Sequence, residues 1–222
     1  MSPAPVAQRI EHWPPEPGAR VRVPSGAVNY VKGGFYFKAE ILEVRWHGRG
    51  GMGVVTAAEL AARAAIEEGK YAQSFPSFGP ERRGVPVIAF LRISDEFIRI
   101  RTNIYQPDIV VVLDPGLLRI VDVTAGLKEK GKIIINSRKS PEQLKSEFGY
   151  KWPVAAVNAI KIAREAIGLP ITNTTMLGAF LKVTEAVEMD SLVEQLKERF
   201  GARAEGNIKA MERAYNEAVT KE

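Results

Sequence analysis

From Ala39 onward the chain alternates short β-branched runs with longer helical stretches, the pattern of an α/β layered domain. "ILEVRW", Ile41 to Trp46, predicts a first strand, followed by a cluster of glycines and a helix from about Gly53 to Glu68 that Gly69 ends. "YAQSF", Tyr71 to Phe75, predicts a second strand. "VPVIAFLRIS" and "FIRIRT", Val85 to Ser94 and Phe97 to Thr102, are split by Asp95 and Glu96 and predict a hairpin, which makes the sheet mixed. "DIVVVLD", Asp108 to Asp114, and "KIIINS", Lys132 to Ser137, are short apolar runs of the kind buried on both faces. "PVAAVNA", Pro153 to Ala159, adds a strand leading into a helix to about Ile167, which Gly168 and Pro170 break. Helices are then predicted over Asn173–Val183, Ser191–Phe200 and Glu205–Val219. The expected fold is a layered α/β sandwich: a mixed, mostly parallel sheet, helices on both faces, and a helical C-terminal third.

Residues 1 to about 28 are Pro-rich and aperiodic, without the apolar content to bury a core, so residues 1–38 are set apart from a domain over 39–222. "VAQRIEH", Val6 to His12, can be spelled GTAGCTCAGAGGATAGAGCA, which resembles the D arm of a transfer-RNA gene; "VRVP", Val21 to Pro24, can be spelled GTTCGAGTCCC, which resembles its T arm. The leader therefore reads either as a transfer-RNA gene translated in frame or as a genuine flexible arm. The next methionine is Met52, inside the glycine cluster, so on the first reading the natural start uses a codon such as that of Val28, Val31 or Leu42.

Composition narrows the chemistry. The chain has no cysteine, so iron–sulfur clusters, thiolate zinc sites and disulfides are excluded, and any redox centre is expected on another chain. His12 and His47 are the only histidines, too few for a His-based metal site. No apolar run reaches the length of a membrane span and no secretory signal opens the chain, which makes the cytoplasm the expected compartment. The net charge is +5, but residues 1–38 hold five Lys/Arg against two Asp/Glu, or +3, leaving +2 for the rest. That is too little to indicate nucleic acid.

Gly48-Arg49-Gly50-Gly51-Met52-Gly53 matches G-x-G-x-x-G between a predicted strand and a helix, the context that gives this pattern meaning. Glycines permit a tight turn and close approach of a phosphate, and the helix's first N–H groups favour the anion. Arg49 adds charge; Ala57, Ala58, Ala61 and Ala62 would let the helix lie close to the sheet. A nicotinamide site needs a carboxylate at the end of the second strand, but that strand runs into Ser74-Phe75-Pro76-Ser77. Nor does the loop end in the Lys-Ser/Thr of a P-loop. A phosphate nest and a plain strand-to-helix turn both stand.

"SFPSFGPERRG", Ser74 to Gly84, brings Arg82 and Arg83 into a loop that, in a parallel sheet, should lie beside the glycine loop. It reads as an anion pocket or as a solvated loop in which Glu81 neutralises one arginine. "LPITNTTMLGAF", Leu169 to Phe180, begins a helix that Thr172 or Asn173 can cap and where Gly178 can admit a close neighbour, capping and packing being favoured over ligand contact.

Together "RWHGRGGMGVVTAAELAARAA", "YAQSFPSFGPERRGVPVIAFLRISD", "QPDIVVVLDPGLL", "NTTMLGAF" and "NIKAMERAYN" resemble the gamma subunits of 2-oxoacid:ferredoxin oxidoreductases, most nearly the pyruvate type, from about residue 41 to about 216. The resemblance implies a four-chain enzyme. Alpha and beta chains hold thiamine diphosphate and Mg, a delta chain carries [4Fe-4S] clusters, and ferredoxin takes the electrons. The gamma chain docks coenzyme A and supplies no catalytic residue. On this reading Gly48, Gly50, Gly51 and Gly53, with Met52, offer backbone to the phosphates, and Arg49, Arg82 and Arg83 offer charge. Where the family commonly has Gly-Pro-Glu-x-Arg-Gly-Gly, Val85 replaces the last glycine, and Arg83 matches the family arginine. A 2-ketoisovalerate or 2-oxoglutarate enzyme, a free-standing dinucleotide-binding regulator and a nucleic-acid module on the basic leader are the competing readings.

Overall fold

A computed structural model describes residues 40–77 and 84–221, together with two short antiparallel strands, Tyr30–Val31 (β1) and Gly34–Phe35 (β2). Met1–Glu40 and Ile41–Glu222 are separate compact units. Apart from β1 and β2, the leader assigned to residues 1–38 lies outside the described residues, as do Arg82 and Arg83.

The second unit runs β3 (Leu42–Arg49), α1 (Val54–Glu67), β4 (Tyr71–Pro76), β5 (Pro86–Ser94), β6 (Ile109–Val112), a 3-10 turn (Pro115–Arg119), β7 (Lys132–Asn136), α2 (Pro141–Phe148), β8 (Val154–Val157), α3 (Ala159–Ile167), α4 (Asn173–Thr184), α5 (Met189–Phe200), α6 (Ala204–Glu217) and β9 (Val219–Lys221). One seven-stranded sheet holds them in the order β4-β5-β3-β6-β7-β8-β9. β3, β6, β7 and β8 are successively parallel, and β4 shares their direction because two antiparallel pairings separate it from β3. β5 and β9 run the other way, so the sheet is mixed and mostly parallel.

Alternate side chains along each strand feed opposite layers. Val111, Leu113, Ile134 and Val157 join one core with α1, α3, α4, α5 and α6, whereas Val110, Val112, Ile133 and Ile135 join a second under α2 and the 3-10 turn. Helices therefore cover both faces. Ala57, Ala58, Ala61 and Ala62 are all buried, as their small size allowed. At Gly178 an added Cβ would collide with the Met211 carbonyl oxygen and lie 2.8 Å from the Tyr215 nitrogen, so α4 and α6 cross at backbone contact there.

Three expectations change. The hairpin joins β4 to β5, not β5 to Phe97–Thr102. Both edges of β5 are occupied, by β3 and β4, and the latter segment is irregular; it buries Ile98 and receives the Gln73 side-chain amide on the Ile98 carbonyl at 3.1 Å. The second predicted strand is consequently not a neighbour of the first: β5 lies between them. Val219 ends no helix but starts β9, which pairs with β8. The 3-10 turn and α2 add structure where none was predicted.

One face of β3 and β5 is polar and buried. Arg92, 1% exposed, donates its Nε to Glu43 at 2.9 Å and lies over the Phe75 ring. Arg45 donates to the Val123 and Ala125 carbonyls and, at 3.0 Å, to His47 Nε2. Accepting that bond requires a neutral imidazole at Nε2, and burial, reinforced by Arg45, pushes the His47 pKa down to about 3.

Candidate functional site

β3 carries its pairing through Gly48 and Arg49, so only residues 50–53 form the turn into α1. The four glycines are used differently. At Gly48 an added Cβ would run into Val54 Cγ2 and lie 3.5 Å from Leu113 Cβ, which makes this glycine a packing requirement between strand and helix. Gly50 exchanges backbone hydrogen bonds with the start of β5, its N–H donating to Val85 O at 2.9 Å and its carbonyl accepting from Gly84 at 3.2 Å. Gly51 and Gly53 are left-handed, with φ of 91° and 75°, a conformation glycine adopts without cost. Around Gly51 nothing lies within 4 Å of an added Cβ, whereas at Gly53 that atom would meet the Asn173 amide, 2.9 Å from its Cγ. Of Gly48, Gly51 and Gly53, only Gly51 therefore has an open side.

The turn closes through Met52 N–H to the Arg49 carbonyl at 3.0 Å, and Met52 Sδ folds back on the Arg49 N–H. Ala57 N–H is the first to bond within the helix, to Gly53 O at 3.0 Å. Earlier N–H groups have no intrahelical acceptor. No side chain caps α1 and no acid stands in its first turn.

Arg49 does not project its charge freely. Its Nε engages Asp114 at the end of β6, and its Nη1 donates to Gly84 O at 3.0 Å. The guanidinium thus pins the glycine turn to both flanking strands. The sequence reading did not single out Asp114, whose other oxygen accepts from Gly116 N–H at 2.9 Å. It is the only carboxylate beside the turn among the described residues at the end of a neighbouring strand, and both its oxygens are engaged.

From β3 the chain turns onto the α1 face, while from the adjacent parallel β6 it turns onto the opposite face. That divergence opens a crevice at the carboxyl ends of the strands, the place where open α/β sheets bind ligands. Gly116, 3.6 Å from Arg49 Nη2 when given a Cβ, leads into a cavity of about 440 Å³. Leu118, Leu144 and Phe148 line it with Arg119, Arg138 and Lys139. Glu147 pairs with both Arg119 and Lys139, which leaves this basic cluster a surplus of positive charge.

On the α1 side stands the start of α4. Thr172 occupies its N-cap position, yet neither it nor Asn173 caps the helix, contrary to the reading of that stretch. Of the predicted site residues, Gly48, Arg49, Gly50, Gly51, Met52 and Gly53 are together in this turn. Arg82 and Arg83 belong to the connection that ends at Gly84, hydrogen-bonded to Gly50.

Residues 43–217 match the family described as pyruvate ferredoxin/flavodoxin oxidoreductase. The chain is 55% identical, over 82% of its length and 100% of the relative's, to the common gamma subunit of pyruvate/ketoisovalerate oxidoreductases of Thermococcus kodakarensis. It is 49% identical, over 80% of its length and 96% of the relative's, to pyruvate synthase subunit PorC of Methanothermobacter thermautotrophicus. The solved structure of pyruvate oxidoreductase subunit PORC from Thermotoga maritima is similar at 37% identity and a TM-score of 0.74, over 82% of this chain and 99% of that one. The 2-oxoglutarate:ferredoxin oxidoreductase of Magnetococcus marinus, solved with 2-oxoglutarate, coenzyme A and succinyl-CoA bound, shares the fold at 19% identity and a TM-score of 0.63, over 79% of this chain and 30% of that one. The chain belongs to the pyruvate ferredoxin/flavodoxin oxidoreductase family, as a gamma-type subunit of a 2-oxoacid:ferredoxin oxidoreductase.

Proposed function

We propose that this subunit docks coenzyme A for a pyruvate:ferredoxin oxidoreductase and helps to assemble it from alpha, beta, gamma and delta chains. The observation that carries the reading is the uncapped start of α1 behind Gly51: open space, unpaired N–H groups and a positive helix end at the switch point of the sheet. The diphosphate of coenzyme A fits that turn. Its adenosine and ribose phosphate fit the neighbouring cavity, where apolar Leu118, Leu144 and Phe148 meet the cations Arg138, Lys139 and Arg119. The Magnetococcus marinus relative, solved with coenzyme A, supports the ligand class.

Gly51 offers backbone, and Arg49 acts by holding the turn through Asp114, not as a free cation. Arg82 and Arg83 supply charge from the adjoining connection. No acid, base or nucleophile is assigned to this chain. Thiamine diphosphate with Mg performs the decarboxylation chemistry on partner chains, whose [4Fe-4S] clusters lead to ferredoxin, all in the cytoplasm. Pyruvate is the substrate named for every one of these gamma-type relatives, the 55%-identical one being common to pyruvate and ketoisovalerate oxidoreductases, and on that ground it is placed ahead of 2-ketoisovalerate and 2-oxoglutarate. A dinucleotide-binding regulator is disfavoured, since the carboxylate nearest the turn, Asp114, is already engaged by Arg49 and Gly116.

The test is steady-state kinetics of the reconstituted four-chain enzyme with Gly51→Val. A β-branched residue in the left-handed region costs about 1–2 kcal/mol and closes the open side; the KM for coenzyme A rises about tenfold or more while that for pyruvate stays put. An unchanged KM for coenzyme A removes the turn from the site.

A further inference from the structure

Six helices start in the described residues, and four have their positive ends answered from within. α2 and α3 carry side-chain caps from Ser140 and Asn158; α5 and α6 have Asp190 and Glu205 in the first turn. α1 and α4 have neither a side-chain cap nor a first-turn acid. These two starts meet, Gly53 of one against Asn173 of the other.

Polar groups at the start of α4 are buried without partners. Asn173 is 6% exposed, Thr172 1% and Thr175 0%, and Asn173 Oδ1, Thr172 Oγ1 and Thr175 Oγ1 make no hydrogen bond. The adjacent Thr174 shows that this turn can satisfy a hydroxyl when its role is structural, donating to Asn207 Oδ1 at 2.9 Å. Buried polar groups without a partner are costly and uncommon, and a cluster of them marks a place where a partner arrives.

We infer that Thr172 and Asn173 are ligand-binding residues, donating to the phosphate group held at the start of α1. Both threonine hydroxyls and the Asn173 amide can donate, the amide through Nδ2, the Asn173 atom that already stands nearest Gly53. Two positive helix ends, uncompensated by any first-turn carboxylate, then converge on one anion. Neither first turn holds a carboxylate to balance a cation, and a neutral ligand leaves both dipoles unanswered. Gly53 is glycine because any side chain would displace Asn173 from this position.

The inference rests on coenzyme A docking at the glycine turn, and the experiment separates the two. The assembled enzyme is compared as wild type, Asn173→Asp, Thr172→Val and Gly51→Val, measuring KM for coenzyme A and for pyruvate, inhibition by inorganic pyrophosphate, and the thermal midpoint. Asn173→Asp keeps the shape and places a negative charge against the phosphate, so KM for coenzyme A rises about tenfold or more and pyrophosphate inhibition weakens in parallel. Thr172→Val, isosteric and without the hydroxyl, raises it about threefold, with pyruvate KM unchanged. Where Asn173→Asp fails to fold, Thr172→Val decides. Wild-type KM for coenzyme A in both variants while Gly51→Val raises it overturns the inference and leaves docking standing; wild-type values in all three overturn both. A lowered midpoint with no selective effect on coenzyme A assigns the two residues to packing and equally overturns the inference.

Discussion

Two helices leave the same edge of the sheet and begin in opposite ways. α2, after β7, is closed by a capping box in which Ser140 accepts from the Gln143 N–H and Gln143 accepts from the Ser140 N–H. α1, after β3, begins at a left-handed glycine with no side chain to answer its N–H groups. A helix start needs partners for those groups. Where the chain supplies them, the start is complete on its own; where it does not, the N–H groups are left for water or a ligand. α4 sharpens the contrast, since its Thr172 and Asn173 are residues that ordinarily cap and here do not.

The comparison can be broken in several ways. The largest effect is expected at Gly51→Val, about tenfold or more in KM for coenzyme A. Removing the pin by Arg49→Ala loosens the turn and frees Asp114, a negative group, beside the phosphate; KM for coenzyme A rises severalfold, with kcat at saturating coenzyme A little changed. At the self-capped starts the pattern reverses. Ser140→Ala and Asn158→Ala each cost about 1 kcal/mol of stability, read by denaturant unfolding, and leave KM for coenzyme A at the wild-type value. A capped-start variant that selectively impairs coenzyme A use would erase the distinction.

The smallest effect concerns acid stability and is read at His47, on the strand that leads into the turn. The unfolded chain protonates His47 near 6.5, the folded chain only near 3. The unfolded state therefore binds more protons between these values, so this contribution to stability is full above 6.5 and declines as pH falls toward 3. His47→Gln, which can still accept from Arg45, is expected to flatten the fall of the thermal midpoint between about pH 6.5 and 4.5. An equal fall in both proteins would show that His47 is not responsible.

Much of the core was legible because periodicity and burial agree there. The apolar runs at Ile109–Val112 and Lys132–Asn136 became strands packed on both faces, and the alanine-rich run after Gly53 became α1. Misreading came where local pattern competed with pairing. "FIRIRT" has strand propensity, but β5 had no free edge to offer it. α2 is only eight residues long and mostly polar, so its capping box was a better signal than its periodicity. β9 follows α6 without a glycine or proline to mark the change.

The site was half legible. G-x-G-x-x-G located the turn, yet could not tell that Gly48 serves packing while Gly51 faces open space. Asp114 and Asn173 reach the turn from 65 and 120 residues away in sequence, through Arg49 and Gly53. Such contacts are set by strand order and helix packing, which local spacing does not encode. Asp114 had one local sign, the Asp-Pro-Gly turn ending an apolar strand.

Amide hydrogen exchange of the assembled enzyme with and without coenzyme A tests the central claim most directly, because it reads the N–H groups themselves. Coenzyme A is predicted to slow exchange across residues 51–56, at the open start of α1, and to leave residues 141–144, at the capped start of α2, unchanged. Equal exchange at residues 51–56 with and without coenzyme A at saturation would contradict it.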